Sequence, residues 1–235
     1  MSQYTDGSYL EKVKDWHASD APWKAKKIIL MLEKHQISPK AVYDIGCGAG
    51  EILVELQRHM GRDIVFRGYD ISPQGIDICR PKENRTLKFF NQDFLLTEMN
   101  PCDLLLLLDV FEHVPDYIGF LEKLREKSFL FLFHIPLDIS VQAIKRKTSI
   151  MLENRTKYGH LHYFTKETAL STLSDTGYEV IDYFYTDDRE MMRPPKTLRH
   201  RLVYEVRKWL YKLDPDLSAF MFASYNLMVL ARRAR

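Results

Sequence analysis

Long apolar runs are missing from this chain. The longest, "CDLLLLLDVF" from Cys102 to Phe111, is too short to span a bilayer and has acids inside it. The N-terminus, "MSQYTDGSYLEK", is polar and lacks an apolar h-region, so no secretory signal is expected. Cysteine is scarce. Cys47, Cys79 and Cys102 are an odd number without metal-site spacing, which opposes a disulfide framework and fits reduced thiols in the cytoplasm. No sign of charge dominates either. A net charge of +2 over 235 residues opposes a dedicated nucleic-acid binder, whose domain is strongly basic. Gly/Ser linkers, internal repeats and low-complexity tracts are absent, so residues 1–235 are expected to form one domain.

What is present is an alternation of strand-like and helix-like segments. "APWKAKKIILMLEKHQ" has apolar residues at helical spacing. "AVYDIG" reads as a short strand, "GEILVELQRHMG" as a helix and "DIVFRGYDI" as a second strand. "SPQGIDICR" opens a helix, with Ser72 as N-cap and Pro73 at the first helical position. "TLKFFNQD" and "CDLLLLLDV" read as strands, the latter apolar on both faces as in a covered parallel sheet. "DYIGFLEKLREK" is helical, and "SFLFLFHIP" is a strand stopped by Pro136. "FTKETALSTLSDTG" is a helix with a cap region at Thr165–Thr168 and Gly177 past its end. "YEVIDYFYTD" and "AFMFASYNLMVLAR" look like two final strands. The pattern predicts an α/β, Rossmann-like three-layer sandwich: a mostly parallel seven-stranded sheet with one antiparallel strand near the C-terminus. A helical cap over about 1–38 and helical insertions over about 137–158 and 190–217 are expected around it.

The stretch "VYDIGCGAGE", Val42 to Glu51, sets the functional question. Its glycines, Gly46, Gly48 and Gly50, are spaced G-x-G-x-G. The dinucleotide fingerprint is G-x-G-x-x-G, and its third glycine falls here on Glu51. A carboxylate at that helix start repels a pyrophosphate. A phosphate loop of nucleotide hydrolases needs Lys and Ser/Thr after its last glycine, where this chain has Glu51-Ile52. A cofactor without phosphate and with a positive centre suits the turn better, and glycines let the backbone approach it closely.

"VYDIGCGAGE" resembles motif I of the class I (Rossmann-like) S-adenosylmethionine-dependent methyltransferases. The resemblance continues in order from about Lys24 to Tyr185 and in the last strand. It implies S-adenosyl-L-methionine as cofactor, held at Asp44, Gly46, Cys47, Gly48 and Gly50 of the turn. Asp70, with Ile71 beside it, matches the acid that grips the ribose hydroxyls, since a carboxylate accepts two hydroxyl bonds well. "NQDF" matches the motif whose acid, here Asp93, bonds the adenine amino group, with Gln92 and Phe94 flanking the base. "LLLLLDVFEHVPD" places Asp109 and Val110 beside the methionine part. "GHLHYFTKETALSTLSDTGYEVID" resembles the small-molecule branch that includes ubiquinone-biosynthesis O-methyltransferases. Asp44 has two readings, a ligand contact or a support for the glycine turn, and Cys47 reads as a small filler.

Methyl transfer from a sulfonium mostly needs alignment and exclusion of water. An oxygen acceptor also needs a base. His113 and His162 are the first candidates and His160 the next; His134, ending the fifth strand, is a fourth histidine near the same sheet edge. Asp109, Glu112 and His113, with His160 or His162, could also hold a divalent cation. Some relatives carry Glu-x-x-Glu-His here. The first acid is Asp in this chain, and no metal is expected.

The acceptor is expected to be a small molecule methylated on oxygen, with carbon or nitrogen methylation as the alternative. A cofactor-binding scaffold without turnover is the alternative of another class. In "RPPKTLRHRLVYEVRKWLYKL", Arg193, Lys196, Arg199, Arg201, Arg207, Lys208 and Lys212 face one acid, Glu205, while Leu198, Leu202, Val206, Trp209 and Leu213 repeat at helical spacing. This basic amphipathic helix reads as a lid with a solvated face, as a cover for an anionic or lipid-linked acceptor, or as a peripheral membrane contact. "ISVQAIKRKTSIML" is similar. Nucleic acid is not expected, because aromatics are not interleaved with the basic residues. Tyr4, Tyr9, Trp16 and Trp23 either close over the cofactor site or anchor the first helix.

Overall fold

The leucines Leu104 to Leu108 show how the sequence builds the sheet. Side chains alternate across a strand. Leu104, Leu106 and Leu108 therefore join one hydrophobic cluster, and Leu105 and Leu107 join another on the opposite face. All five are buried, each worth about 2 kcal/mol of apolar burial. A strand apolar on both sides must be central, with helices on each face.

The computed structural model of the chain describes residues 2–13, 16, 18–97, 101–191 and 197–234. Strands β1 (Ala41–Ile45), β2 (Val65–Asp70), β3 (Leu87–Asn91), β4 (Cys102–Leu108), β5 (Ser128–Pro136), β6 (Tyr178–Asp187) and β7 (Tyr225–Arg233) form one sheet. Their order is β3-β2-β1-β4-β5-β7-β6. β1 to β5 pair in parallel, and β7 runs antiparallel to both β5 and β6. This is the Rossmann-like, three-layer arrangement that the sequence predicts.

Before β1 lie α1 (Ser2–Thr5), α2 (Ser8–Lys12) and α3 (Ala21–Lys34). α4 (Glu51–Met60) and α5 (Pro73–Cys79) follow β1 and β2. α3, α4 and α5 cover one face through Ala25, Ile28, Leu32, Leu53, Leu56 and Ile76. α6 (Tyr117–Leu124) follows β4 and helps cover the other face. α7 (Val141–Lys145), α8 (Ser149–Lys157) and α9 (Lys166–Asp175) separate β5 from β6. α10 (Leu198–Leu213) and α11 (Pro215–Met221) separate β6 from β7.

The local signals act as their chemistry dictates. Ser72 accepts the Gly75 N–H and Pro73 starts α5. Thr165 and Thr168 form a reciprocal capping box on α9. One boundary differs: the last strand begins at Tyr225, not Ala219. Asp214 accepts the Leu217 N–H and Pro215 occupies the first helical turn, so residues 215–221 coil as α11.

The chain runs from β1 outward to β2 and β3, then returns to place β4 beside β1. That reversal is a topological switch point, where open α/β sheets bind ligands at the carboxyl ends of their strands. A cleft of about 1030 Å³ opens there. It lies at the upper end of small-molecule sites and has room for a cofactor and a second small molecule.

Candidate active site

The floor of the cleft is the glycine turn. Gly46, Gly48 and Gly50 adopt φ of +71°, +53° and +76°, a region that disfavours side-chain-bearing residues. Gly48 is constrained a second time: a Cβ there would lie 2.5 Å from Cδ1 of Trp16. At the end of β2, the Asp70 carboxylate accepts the Gly48 N–H (2.9 Å) and the Ser72 N–H (2.8 Å). It thus ties the turn to the neighbouring strand. Burial raises its pKa, opposed by those backbone bonds. Cys47 is buried beside Cys79, its thiol pushed up chiefly by that burial, and its Sγ sits close to Gly68. That is a filler's environment. Gly46, Cys47, Gly48 and Gly50 line the cleft, as do Asp70 and Ile71.

These residues fit the methyl donor that the resemblance implies. An acid at a strand tip borders the cleft, and Gly46 of the turn is exposed beside it. The repulsion expected from Glu51 is weaker than its charge suggests, because Lys82 pairs with it at 2.6 Å. Lys82 also donates to the Ala49 carbonyl (2.6 Å), which pins it to the turn.

Asp109, directly after β4, is held at φ +55°. One carboxylate oxygen accepts from Lys24 Nζ (2.7 Å) and the other lies 2.6 Å from His134 Nδ1. His134 Nε2 reaches the Thr186 hydroxyl at 2.9 Å. Against the burial that would raise it, His134 and Lys24 hold the Asp109 carboxyl well below the usual range. Asp109 and Val110 line the cleft.

Across the cleft stand His113 and His160, their rings 5.0 Å apart and edge to face. His160 Nδ1 lies 2.6 Å from Asp138 Oδ2, and Asn154 Nδ2 donates to Asp138 Oδ1 at 2.7 Å. A carboxylate only accepts, so Nδ1 carries a proton, and in the neutral ring the lone pair is then on Nε2. Glu112 is fully buried, and neither of its carboxyl oxygens has a hydrogen-bond partner among the described residues. Burial first, then Asp109 and Asp138, push its pKa well up. Glu112, His113 and His160 each bring a donor atom within 4.8 Å of the others. Asp109 is not part of that group.

Several residues lie elsewhere than expected. His162 does not line the cleft: its Nε2 reaches the Val114 carbonyl (2.9 Å) and its ring packs on Tyr117 (4.3 Å). Leu161 and His162 both donate their N–H to the Glu112 carbonyl. Phe94 is corrected too. Its ring is buried against Tyr69 (4.8 Å) and Tyr43 (6.4 Å), so it does not flank a base. Gln92 and Asp93 are exposed outside the cleft lining, and Asp93 caps its own turn through the Leu95 N–H. Tyr4, Tyr9 and Trp16 border the cleft, while Trp23 donates to Glu190 (2.9 Å).

Asp44 is buried and does not line the cleft. Burial, then neighbouring Asp70, raise its pKa to about 8, with Lys24 opposing. An acid whose folded pKa exceeds its unfolded value, about 4, keeps its proton longer in the fold. Its contribution therefore turns against folding progressively as pH rises from about 4 to about 8. Asp44→Asn removes that titration. In thermal melts without cofactor, the variant is expected to gain on the wild-type chain between pH 5 and pH 9. An identical difference at both pH values would show that Asp44 is ionised in the fold.

Sequence reading missed Lys24, Asp138 and Asn154. Asp138 had a signal: like Asp44 and Asp70, it is an acid at the tip of a strand, two residues past Pro136. Lys24 had one too, a cation within the apolar stripe of α3 formed by Ala21, Ala25, Ile28 and Leu32.

Residues 16–183 match the family described as a methyltransferase domain. No curated protein matches the chain significantly. Among solved structures, it is similar to the plantazolicin methyltransferase BpumL in complex with a monoazolic desmethylPZN analog and SAH. The TM-score is 0.65 at 16% identity, covering 100% of this chain and 93% of that one. It is also similar to the (4+2) cyclase SpnF (TM-score 0.60, 13% identity, 89% and 80% covered). A third is the N-methyltransferase NodS from Bradyrhizobium japonicum WM9 with S-adenosyl-L-homocysteine (TM-score 0.57, 14% identity, 94% and 92% covered). At these identities the likeness is one of fold.

Proposed function

The chain belongs to the methyltransferase-domain family, whose methyl donor is S-adenosylmethionine, and from that premise we propose that it methylates a hydroxyl oxygen of a small molecule. S-adenosylmethionine supplies a methyl group on a positively charged sulfur, already activated for displacement. The Gly46–Gly50 turn and Asp70 hold that end of the cleft, and the acceptor lies toward His160 and His113. His160 Nε2 takes the acceptor's hydroxyl proton. Asp138 fixes the imidazole in the tautomer this needs and stabilises the imidazolium that forms. Asn154 fixes Asp138 in turn.

The observation that carries this reading is the Asp138–His160 pair at the cleft wall. A neutral amine already carries the attacking lone pair and makes less use of such a base. The likeness of the "GHLHYF" segment to ubiquinone-biosynthesis O-methyltransferases favours a hydroxylated aromatic acceptor.

The test is a panel of catechols, phenols, amines and enolisable carbonyls with methyl-labelled cofactor, the product's methylated atom read by NMR. Methyl on oxygen supports the proposal, and methyl on nitrogen or carbon overturns it. A chelator belongs in the same experiment. Activity unchanged by it leaves His160 as the base. Activity lost to it and restored by magnesium assigns Glu112, His113 and His160 to a cation instead.

A further inference from the structure

Helix α10 is built inside out. At about 100° per residue, Leu198, Leu202, Val206, Trp209 and Leu213 fall in a sector about 80° wide. In a helix packed on a globular core that stripe faces inward. Here these five side chains are 48% to 84% exposed. The inward side, about 170° away, carries Tyr204, Arg207 and Tyr211. Arg207 is 1% exposed: Nη1 donates to the Ala223 carbonyl, Nε to Asp187, and the guanidinium lies 3.7 Å from the Tyr225 ring centre. Tyr211 stacks on Tyr225 at 5.6 Å. Polar anchors therefore hold the helix down and its apolar stripe points to solvent.

The charge along the stripe says what covers it. Arg201, Lys208 and Lys212 run along one flank of the stripe, with Glu205 as the one acid among them. Arg193 and Lys196 lie outside the described residues, as does the side chain of Arg199. A second copy docked antiparallel would set this basic flank against itself. An anionic lipid surface meets both features at once: acyl chains take the leucines, headgroups take the cations, and a tryptophan sits at the boundary.

We propose that α10 lies flat on an anionic membrane surface, with Leu202, Val206 and Trp209 in the acyl boundary and Arg201, Lys208 and Lys212 on phospholipid headgroups. No described helix is long and apolar enough to cross a membrane, so this contact is peripheral. Arg207 ties α10 to Ala223, which borders the cleft, so the docked helix is anchored to the cleft rim. Docking of this kind is independent of which atom the enzyme methylates.

The 235-residue chain should co-sediment with vesicles of phosphatidylcholine and phosphatidylglycerol in equal parts, and at least about tenfold less with phosphatidylcholine alone. Each basic residue on such a surface is worth about fivefold. Lys208→Glu/Lys212→Glu should therefore cost at least about tenfold, and raised salt should weaken binding. Leu202→Glu/Trp209→Glu should abolish it. The replaced side chains are exposed, so the far-ultraviolet dichroism should stay unchanged. Tryptophan emission should shift to the blue on mixing with the anionic vesicles, and Trp209→Phe should remove that shift. The proposal fails if the wild-type chain ignores anionic vesicles at low salt, or if Leu202→Glu/Trp209→Glu binds as well as wild type. It also fails if sedimentation velocity shows a dimer that the same double substitution dissolves.

Discussion

Replacing His160 with alanine is expected to lower kcat about 10²- to 10⁴-fold, the range lost with a general base. The affinity for S-adenosylhomocysteine should hold within about threefold, because the glycine turn and Asp70 are separate from His160. Asp138→Asn is expected to be nearly as harmful. An amide at position 138 can donate to Nδ1, which moves the imidazole proton to Nε2 and leaves no lone pair toward the acceptor. A shared function makes the losses non-additive. The double variant His160→Ala/Asp138→Asn should be no slower than His160→Ala by more than about threefold. Thermal melts separate this from misfolding, and added imidazole should restore part of the His160→Ala activity. A His160→Ala enzyme that folds, binds cofactor and turns over within about fivefold of wild type would remove His160 from the chemistry.

Much of the fold was legible because its strands are extreme. An apolar run such as Leu104–Leu108 has no place except the middle of a covered sheet, and the Ser72-Pro73 start of α5 obeys cap chemistry that needs no tertiary context. What escaped were places where tertiary packing decides between two locally acceptable states. "DPDLSAFMF" carries both a cap and a run of apolar residues, and the cap at Asp214 won, so the strand starts late. Periodicity identified α10 as amphipathic but could not say which face turns inward. Arg207 settles that by finding Asp187, Ala223 and Tyr225 underneath, partners far from it along the chain or across a turn. The histidines were placed near one sheet edge by the strands they follow, and that placement does not reveal that His162 bonds the Val114 carbonyl instead of facing the cleft. Lys24 and Asp138 were visible only as residues of the wrong polarity for their positions, a signal that acquires meaning once Asp109 and His160 are seen beside them.

Asp70→Ala is expected to weaken S-adenosylhomocysteine about 10²- to 10³-fold. Two losses add here. The carboxylate offers its remaining lone pairs to ligand hydroxyls, and a hydrogen bond to a charged group is worth about 1.5–3 kcal/mol. The same carboxylate accepts the Gly48 and Ser72 N–H groups, so removing it also unties the turn from β2. Gly48→Val separates the two. It leaves Asp70 in place but forces a branched residue to φ +53°, where strain costs about 1–3 kcal/mol, and drives a side chain into the space of Trp16. If turn geometry matters as much as the acid, Gly48→Val should lose at least about tenfold in affinity with Asp70 intact. Titration calorimetry of wild type and both variants with S-adenosylhomocysteine, and with a nicotinamide dinucleotide as the competing ligand class, gives the answer. Lys82 has already taken part of the charge from Glu51, so a diphosphate is excluded mainly by the turn itself. Equal affinity of wild type and Asp70→Ala, or tighter binding of the dinucleotide than of the thioether, would mean that this turn holds a different ligand.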